Sequence, residues 1–229
     1  MKTILAIATS SAAELNGNKT GLWLSELTHF IDVVERAGFG VDVASPKGGK
    51  IPLDEKSLES QHKDPVNAKY LATPGFVAKL ENSLKCSEVD ASQYIAIYLS
   101  GGHGTMFDFR QSGDLQKLIT KFHSTTKYLT GVCHGVSGFI DSVDDKGGLI
   151  VKGRRITGFS NREDALAGVK KLMPFLLEDE LKKQGARYMK NFLPFTERVE
   201  VDGRLITGQN PQSAKSVGVK LVELLMSDI

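Results

Sequence analysis

Cysteine is nearly absent from this sequence, since Cys86 and Cys133 are the two cysteines among 229 residues. Two cysteines cannot supply the disulfide framework of a small secreted protein. They also lack the Cys-x-x-Cys spacing of a redox motif and the ligand spacing of a zinc site. The sequence therefore predicts a protein of the reducing cytoplasm that is not organised around disulfides or zinc.

Long apolar runs and an excess of one charge are also missing. The apolar start, residues 1–9, is too short to span a bilayer and is not followed by a signal-peptide cleavage pattern. Lys and Arg number 29 and Asp and Glu number 27, for a net charge of +2. This balance gives no reason to expect nucleic acid or a membrane surface as a partner. We expect a globular protein with a substantial core.

Strands and helices alternate along the first half of the chain. A short apolar strand opens the sequence, apolar residues at helical spacing follow over 23–37, and residues 40–45 form the next strand. This βαβ unit predicts a parallel sheet with a right-handed crossover. With no internal repeat and no linker, we predict one α/β domain over residues 1–229, with helices on both faces of a mostly parallel sheet.

The rest of the chain continues this alternation and then departs from it. The polar, proline-containing segment 46–67 predicts a long loop that is functional or mobile. Further predictions are helices over 71–84, 115–123, 136–142 and 174–184, strands over 93–99, 127–131, 155–159 and 186–190, a hairpin over 198–207 with an Asp-Gly turn, and a final helix over 211–225 with Asn210 as its N-cap.

The strand at 127–131 leads into Gly131-Val132-Cys133-His134-Gly135. This is the layout of a nucleophile elbow, with cysteine at the position where a hydrolase carries serine. A base beside the thiol, here His134, lowers the cost of forming the reactive thiolate. The alternative is a buried structural cysteine at the end of a strand. The glycine-flanked Cys-His pair favours the catalytic interpretation.

A glycine cluster, residues 101–104, follows the apolar strand 93–99. One interpretation is a tight turn between a strand and a helix. Another is an oxyanion hole, in which the backbone N–H of His134 acts together with that of Gly102. The cluster is too short for a dinucleotide-binding fingerprint, so no nucleotide cofactor is predicted.

Three carboxylates have roles that the residues alone leave open. Glu26 lies on the first helix, where a solvated position is favoured over a buried one that would need a partner. Glu163 and Asp164 follow a strand end, and either could orient His134 or favour a helix N-terminus. Sequence spacing does not separate the two.

The other histidines and the second cysteine carry weaker signals. None of the histidines forms an i, i+4 pair with another metal-ligand type, so surface or turn positions are favoured and no metal site is predicted. Cys86 has no neighbouring base and is expected to be inert. The histidines concerned are His29, His62, His103 and His123.

Several segments in order resemble the ThiJ/PfpI family of the class I glutamine amidotransferase-like superfamily, within it the branch of glutathione-independent glyoxalase III enzymes and heat-shock chaperones. Each segment is weak by itself, but their order and spacing are specific and cover nearly the whole chain. They are Lys19-Thr20-Gly21 with Glu26 and His29, residues 41–46, residues 101–104 with Asp108, residues 131–135, residues 157–161 and residues 203–211.

The resemblance implies a flavodoxin-like three-layer sandwich that is usually a homodimer. Carried onto this sequence, it implies Cys133 as nucleophile, His134 as general acid and base, Glu26 as a buried carboxyl against the thiol, and Gly102 as an oxyanion donor. The family's third acid falls at Glu163 or Asp164. The larger bacterial chaperones carry a metal site in an N-terminal extension, and since this sequence begins at the first strand, metal binding is not carried over.

The function that the resemblance implies is a cofactor-free lyase that converts methylglyoxal, a small reactive carbonyl compound, to lactate through a hemithioacetal on Cys133. Two alternatives stay open on the same scaffold. A holdase chaperone would use an exposed apolar surface and not the thiol. A cysteine peptidase or amidase would use the same elbow with a different substrate cleft.

Overall fold

The computed structural model describes residues 2–59 and 64–228. Within these ranges a seven-stranded sheet has the order β10-β11-β7-β6-β1-β4-β5, and its neighbouring strands are parallel except for the antiparallel pair β10–β11. Two further two-stranded sheets are β2–β3 and β8–β9. The strands are β1 (Thr3–Ile7), β2 (Glu14–Leu15), β3 (Asn18–Lys19), β4 (Gly40–Ser45), β5 (Leu84–Lys85), β6 (Tyr94–Leu99), β7 (Tyr128–Val132), β8 (Arg155–Ile156), β9 (Arg187–Tyr188), β10 (Val199–Asp202) and β11 (Leu205–Gly208).

Helices connect and cover these strands. None of the helices in the described ranges is long and apolar enough to cross a membrane. The α-helices are α1 (Leu24–Arg36), α2 (Glu55–Leu58), α3 (Pro65–Leu71), α4 (Pro74–Glu81), α5 (Gly113–Ser124), α6 (Asn161–Leu166), α7 (Leu177–Lys183) and α8 (Ala214–Ser227).

The direction of the chain across the sheet reverses beside β1. From β1 the chain passes to β4 on one side, and it later returns to β6 on the other side before continuing to β7. Right-handed crossovers therefore place α1 and α5 on opposite faces of the sheet. The loops after β1 and β6 diverge at this point, which opens a crevice at the carboxyl ends of the strands, where α/β proteins bind ligands.

The core fixes α1 against the middle of the sheet. Tyr98 of β6 stacks on Phe30 of α1 with ring centroids 3.6 Å apart, and both side chains are fully buried. The Tyr98 hydroxyl also donates to the backbone oxygen of Glu26 over 2.6 Å. These contacts fix the position of Glu26 at the carboxyl end of the sheet.

The predicted fold class is confirmed, with helices flanking a mostly parallel sheet. The first helix and the strand at 40–45 are confirmed as α1 and β4, and the C-terminal hairpin as β10–β11. In the hairpin Asp202 pairs with Leu205, so Gly203 and Arg204 form the turn, and Gly203 has a φ of +61°. Glycine at the first of two turn residues matches the type II′ preference.

Two predictions for the segment before β6 are wrong. Residues 46–67 are not one long loop, because they contain α2 and the first turn of α3, and Ile51 is 2% exposed. The helix predicted over 71–84 is the shorter helix α4, which begins at Pro74 after a break from α3, and Leu84 belongs to β5. Proline disfavours helical backbone in the residue before it, which accounts for the break. His62 lies outside the described residues.

Three later predictions need correction. The predicted strand 155–159 is only β8, which pairs with β9 outside the main sheet. The helix predicted over 136–142 is a 3₁₀ helix, Cys133–Phe139. Asn210 precedes the short 3₁₀ turn before α8, but its side chain makes no capping hydrogen bond to a backbone N–H. Its amide instead donates to Glu163 Oε1 over 2.9 Å.

Candidate active site

Cys133 lies at the sharp turn where β7 ends. Its φ of +56° is in the left-handed region, where a residue other than glycine is strained by about 1–3 kcal/mol. The chain leaves the turn directly into the 3₁₀ helix because Gly135 packs on the backbone of β6, and a Cβ at this position would lie 2.3 Å from the oxygen of Leu99. The strained turn places the thiol at the carboxyl edge of the sheet.

His134 contacts the thiol through one ring nitrogen and a carboxylate through the other. Its Nδ1 lies 3.5 Å from Cys133 Sγ, and its Nε2 lies 3.1 Å from Asp164 Oδ1. An ionised carboxylate only accepts hydrogen bonds, so Nε2 carries a proton and Nδ1 is left as the acceptor that faces the thiol. This is the arrangement of a nucleophile, a base and an orienting acid.

Asp164 is completely buried in the first turn of α6. Burial raises its pKa, but the neighbouring charge and hydrogen bonds of His134 and His103 outweigh burial and hold the pKa well below its usual range. Asp164 therefore stays ionised at neutral pH, which is the form that stabilises a protonated His134.

Glu163 is also completely buried, but it faces away from this contact and ties loops together. Its Oε2 accepts from the backbone N–H and hydroxyl of Ser160 in a capping box, and from Gln209 Nε2 over 3.0 Å. Its Oε1 accepts from Asn210 Nδ2 and from the backbone N–H of Phe195, each over 2.9 Å. The structure thus brings Asp164 to His134 and places Glu163 in a structural network.

Glu26 lies beneath the thiol and is fully buried, as the family resemblance implies, so the solvated position that the cost of burying a carboxylate favoured is wrong. Its Oε2 accepts from the backbone N–H of Gly101 over 2.8 Å. Its Oε1 has no partner of strict hydrogen-bond geometry among the described residues, yet the carboxyl and the Cys133 thiol are close enough to perturb each other's pKa. Burial raises the pKa of Glu26 to about 8.

Burial also raises the pKa of the Cys133 thiol, and an ionised Glu26 adds to this rise, whereas the backbone N–H of His134 opposes it. Since Glu26 is mainly the neutral acid at neutral pH, its repulsion of a thiolate is largely absent there. A neutral carboxyl group can instead donate a hydrogen bond to a developing anion. The site can therefore form a thiolate when His134 accepts the thiol proton.

Replacing Glu26 by glutamine is expected to flatten the dependence of stability on pH. Because the folded pKa is raised from 4.5 to about 8, stability from this group is present below pH 4.5 and is lost as the pH rises through 8. The loss is on the order of 5 kcal/mol, at about 1.4 kcal/mol for each tenfold change in proton affinity. Urea unfolding across this pH range measures it.

Asp108 provides the matched control for this experiment. Burial raises the pKa of Asp108 to about 7, so this carboxyl also makes stability fall with rising pH. Asp108→Asn should therefore remove a pH dependence of stability that ends near pH 7. Equal pH profiles for wild type and Glu26→Gln would show that the Glu26 carboxyl is not neutral in the folded protein.

Gly102 lines the same cavity as Cys133 and His134 and has a φ of +104°. A Cβ at this position would lie 2.2 Å from the oxygen of Gly21 and 2.5 Å from the nitrogen of Trp23. Glycine is therefore required for the backbone after β6 to pass the loop before α1. The backbone N–H of Gly102 makes no hydrogen bond to the described residues. It is therefore available to donate to an oxyanion, as the interpretation of this loop as an oxyanion hole requires.

Substituting Gly102 by alanine is expected to cost at least about 2–3 kcal/mol of unfolding free energy, because it combines an unfavourable φ with a backbone overlap. Gly113→Ala is the matched control, since nothing lies within 4 Å of its added Cβ. Thermal unfolding of both variants measures the difference. Equal stability would contradict the packing described for Gly102.

His103 is a residue of the site that the sequence prediction missed. Its Nε2 lies 3.5 Å from Asp164 Oδ1, and its ring centroid lies 4.4 Å from that of His134. Burial lowers its pKa, and the neighbouring His134 lowers it further. His103 lies in the predicted turn after β6, but its side chain is largely buried in the site and not at the surface. Its place after β6, at the same edge as the elbow, is the signal that could have identified it.

The same three side chains are spaced for one small cation. Ligand atoms of His103, His134 and Asp164 lie within 4.8 Å of one another. The hydrogen bond from His134 to Asp164 already explains the spacing of that pair. We therefore interpret the three side chains as a network that orients His134. Among the described residues, these three side chains are the cluster of histidine and carboxylate groups whose spacing could hold a metal ion.

A cavity of about 520 Å³ lies above these groups. Trp23, Phe159 and Phe195 provide apolar walls, while His29 and Lys215 also reach it. His29 borders the cavity with a side chain that is 28% exposed. The volume is within the range of small-molecule sites.

The fold and the site together define a parallel α/β protein with a cysteine, histidine and aspartate in contact at a strained elbow. A family model for the DJ-1/PfpI family matches residues 19–224, so this chain belongs to the DJ-1/PfpI family. The resemblance found in the sequence is thereby confirmed.

Three relatives are similar over nearly the whole chain. The glutathione-independent glyoxalase HSP31 of Saccharomyces cerevisiae is 32% identical over 220 residues, which cover 92% of this chain and 91% of that protein. Glyoxalase 3 of Candida albicans is 32% identical over 228 residues, covering 93% and 94%. The crystal structure of glyoxalase III from Candida albicans matches with a TM-score of 0.90 at 29% identity, covering 97% of this chain and 96% of that one.

Proposed function

We propose that this protein is a glutathione-independent glyoxalase of the glyoxalase III type, which converts methylglyoxal and water to lactate without a cofactor. The observation that carries the proposal is the contact of Cys133 with His134 and of His134 with Asp164 beside a cavity of small-molecule size. The names of the relatives from Saccharomyces cerevisiae and Candida albicans support the same activity.

The first step is capture of the substrate. His134 Nδ1 accepts the proton of the thiol, and the Cys133 thiolate attacks the aldehyde carbon of methylglyoxal to form a hemithioacetal. The aldehyde oxygen becomes an oxyanion, which the backbone N–H groups of His134 and Gly102 can stabilise. Before the attack, neutral Glu26 can donate a hydrogen bond to the Cys133 thiolate.

The second step moves hydrogen between adjacent carbons. His134 first gives the thiol proton to the hemithioacetal oxygen and is again a neutral base. It then removes the proton from the former aldehyde carbon to give an enediol and returns this proton to the neighbouring carbon, while the enediol hydroxyl on the former aldehyde carbon loses its proton to become the thioester carbonyl. Asp164 stabilises the imidazolium that exists between these events. The product is a lactoyl thioester on Cys133, and attack by water then breaks its C–S bond and releases lactate.

Lactate formation from methylglyoxal in glutathione-free buffer tests this proposal. We expect the wild-type protein to form lactate in proportion to enzyme concentration. Absence of lactate would contradict the proposal, and release of an amine from amide substrates would instead indicate the peptidase or amidase alternative.

A holdase chaperone is a second candidate because apolar side chains are exposed near the cavity. Phe192 is 85% exposed and Leu193 is 60% exposed, in the same loop as Phe195. Such a patch can shield unfolded chains without using the thiol. If this function is present, Cys133→Ser suppresses aggregation of a denatured client as well as wild type, whereas Phe192→Ser does not.

Three finer features belong to the same proposal. The family resemblance supports a homodimer, the scarcity of cysteine supports a cytoplasmic location, and the absence of a linker in the sequence supports one domain over residues 1–229. Light scattering during size-exclusion chromatography tests the dimer, since a monomer mass at working concentration would contradict it.

A further inference from the structure

A second histidine–carboxylate pair borders the cavity, apart from the contact of His134 with Asp164. His29 Nε2 lies 2.7 Å from Asp64 Oδ2, with side chains that are 28% and 24% exposed. His29 lines the cavity together with Cys133 and His134. Neither step of the proposed mechanism uses His29 or Asp64.

The position of His29 follows from the geometry of α1. Glu26 and His29 are three residues apart on this helix, so they share a face and their Cβ atoms are about 5–6 Å apart. Glu26 is fully buried beneath the thiol, whereas His29 is partly exposed. His29 therefore lies one turn along α1 from the group against Cys133, on the side that water can reach.

Asp64 is held in place independently of His29. It is the N-cap of α3, and its Oδ1 accepts from the backbone N–H groups of Val66 and Asn67 over 2.9 and 3.1 Å. Thr28, next to His29 on α1, donates to Asn67 Oδ1 over 2.5 Å and ties the two helices together. Since Asp64 accepts the Nε2 proton of His29, Nδ1 is left with a lone pair.

Among the other ionisable groups at the cavity wall, His103 lies 3.5 Å from Asp164, a carboxylate that it shares with His134. The remaining two have no such partner. Glu197 and Lys215 line the cavity and are exposed, and their side chains make no hydrogen bond or ion pair with the described residues. A base that is oriented by a third group is the arrangement that catalysis uses. His29 is therefore the better candidate for a second base at this site.

We propose that His29, oriented by Asp64, is the general base that activates water for hydrolysis of the lactoyl thioester. This inference rests on the proposed glyoxalase function. Water transfers one proton to His29 as its oxygen bonds to the thioester carbonyl carbon, and the C–S bond then breaks. Cys133 leaves as a thiolate, and the lactic acid loses its proton to solvent. His134 is thus assigned to the carbon–carbon proton transfer and His29 to the release of product.

His29→Gln tests this assignment. Glutamine can still donate to Asp64 but cannot take a proton from water, so we expect kcat to fall by about 100-fold or more. The acyl-enzyme should then accumulate, seen as a mass increase of one methylglyoxal on the peptide with Cys133 that hydroxylamine removes. In His29→Ala, added imidazole should restore part of the turnover.

Two further variants separate catalysis from structure. Asp64→Asn keeps a capping side chain for α3 but loses the charge, and it should slow turnover about tenfold with the same accumulation of acyl-enzyme. His123→Gln makes the same chemical change outside this cavity and should leave turnover and acyl-enzyme unchanged.

Different outcomes overturn different claims. If wild type forms lactate and His29→Gln turns over at the wild-type rate, or slows without accumulating acyl-enzyme, the assignment of His29 is wrong and the proposed function stands. If wild type forms no lactate, both are wrong.

Discussion

Replacing Cys133 by alanine is expected to lower kcat/KM for methylglyoxal by at least about 10⁴-fold. The covalent path begins with attack by the thiolate, and alanine leaves no atom to form the bond. Serine should be nearly as inactive, because its hydroxyl is a far weaker acid than a thiol and His134 would have to remove its proton in a buried site. Steady-state lactate production with purified variants measures the effect.

The fold should tolerate these substitutions. Alanine keeps the Cβ of Cys133, so the strain of a φ of +56° is nearly the same in both proteins. Cys86→Ala is the matched control, because Cys86 is 2% exposed and burial raises the pKa of its thiol to about 12. This control should keep wild-type activity. Lactate production by Cys133→Ser within about tenfold of wild type would contradict the covalent mechanism.

Asp164→Asn is expected to lower kcat by about 10²–10⁴-fold with little change in KM. The carboxylate holds the proton of His134 on Nε2, which leaves Nδ1 free to accept from the thiol, and it stabilises the imidazolium that forms. An amide lacks the charge and can turn its NH₂ group toward the ring, which would reverse the roles of the two nitrogens. Initial rates over a range of methylglyoxal concentrations separate kcat from KM.

Glu163→Gln is the adjacent control and should show the opposite pattern. Its carboxylate accepts from Ser160, Phe195, Gln209 and Asn210, and an amide would leave some of these buried donors without an acceptor. We expect a loss of about 2–3 kcal/mol in unfolding free energy, with most activity kept per folded molecule. If Glu163→Gln lost activity while Asp164→Asn kept it, Glu163 and not Asp164 would orient His134.

The main strands and helices were predictable because the spacing of apolar residues in each segment matches the side chains that are buried in the folded protein. The continuous apolar run of β6 is covered on both sides, and α1 carries its apolar residues at helical spacing. The segment after Cys133 was not predictable in the same way. Its 3₁₀ form depends on the close approach of Gly135 to the oxygen of Leu99, a contact between distant parts of the chain. Periodicity does not report such a contact.

The elbow could be found from sequence because its residues are contiguous, but the groups around it come from separate elements. The cost of burying a carboxylate without a partner favoured a solvated Glu26, whereas its burial depends on how α1 packs on β6 through Tyr98. The choice between Glu163 and Asp164 had a local signal, since Ser160 and Glu163 have the spacing of a capping box. That motif assigns Glu163 to the helix start. His29 and His103 do not stand out by i, i+4 spacing, because their carboxylate partners, Asp64 and Asp164, come from other segments of the chain.

Rapid quenching of the wild-type protein during its reaction with methylglyoxal, followed by mass spectrometry of its peptides, tests directly whether the reaction passes through a covalent adduct on Cys133. We expect a transient mass increase of one methylglyoxal on the peptide that carries Cys133, formed and lost at rates that match lactate production. Lactate formed at the same rate with no adduct on Cys133 at any time would contradict it.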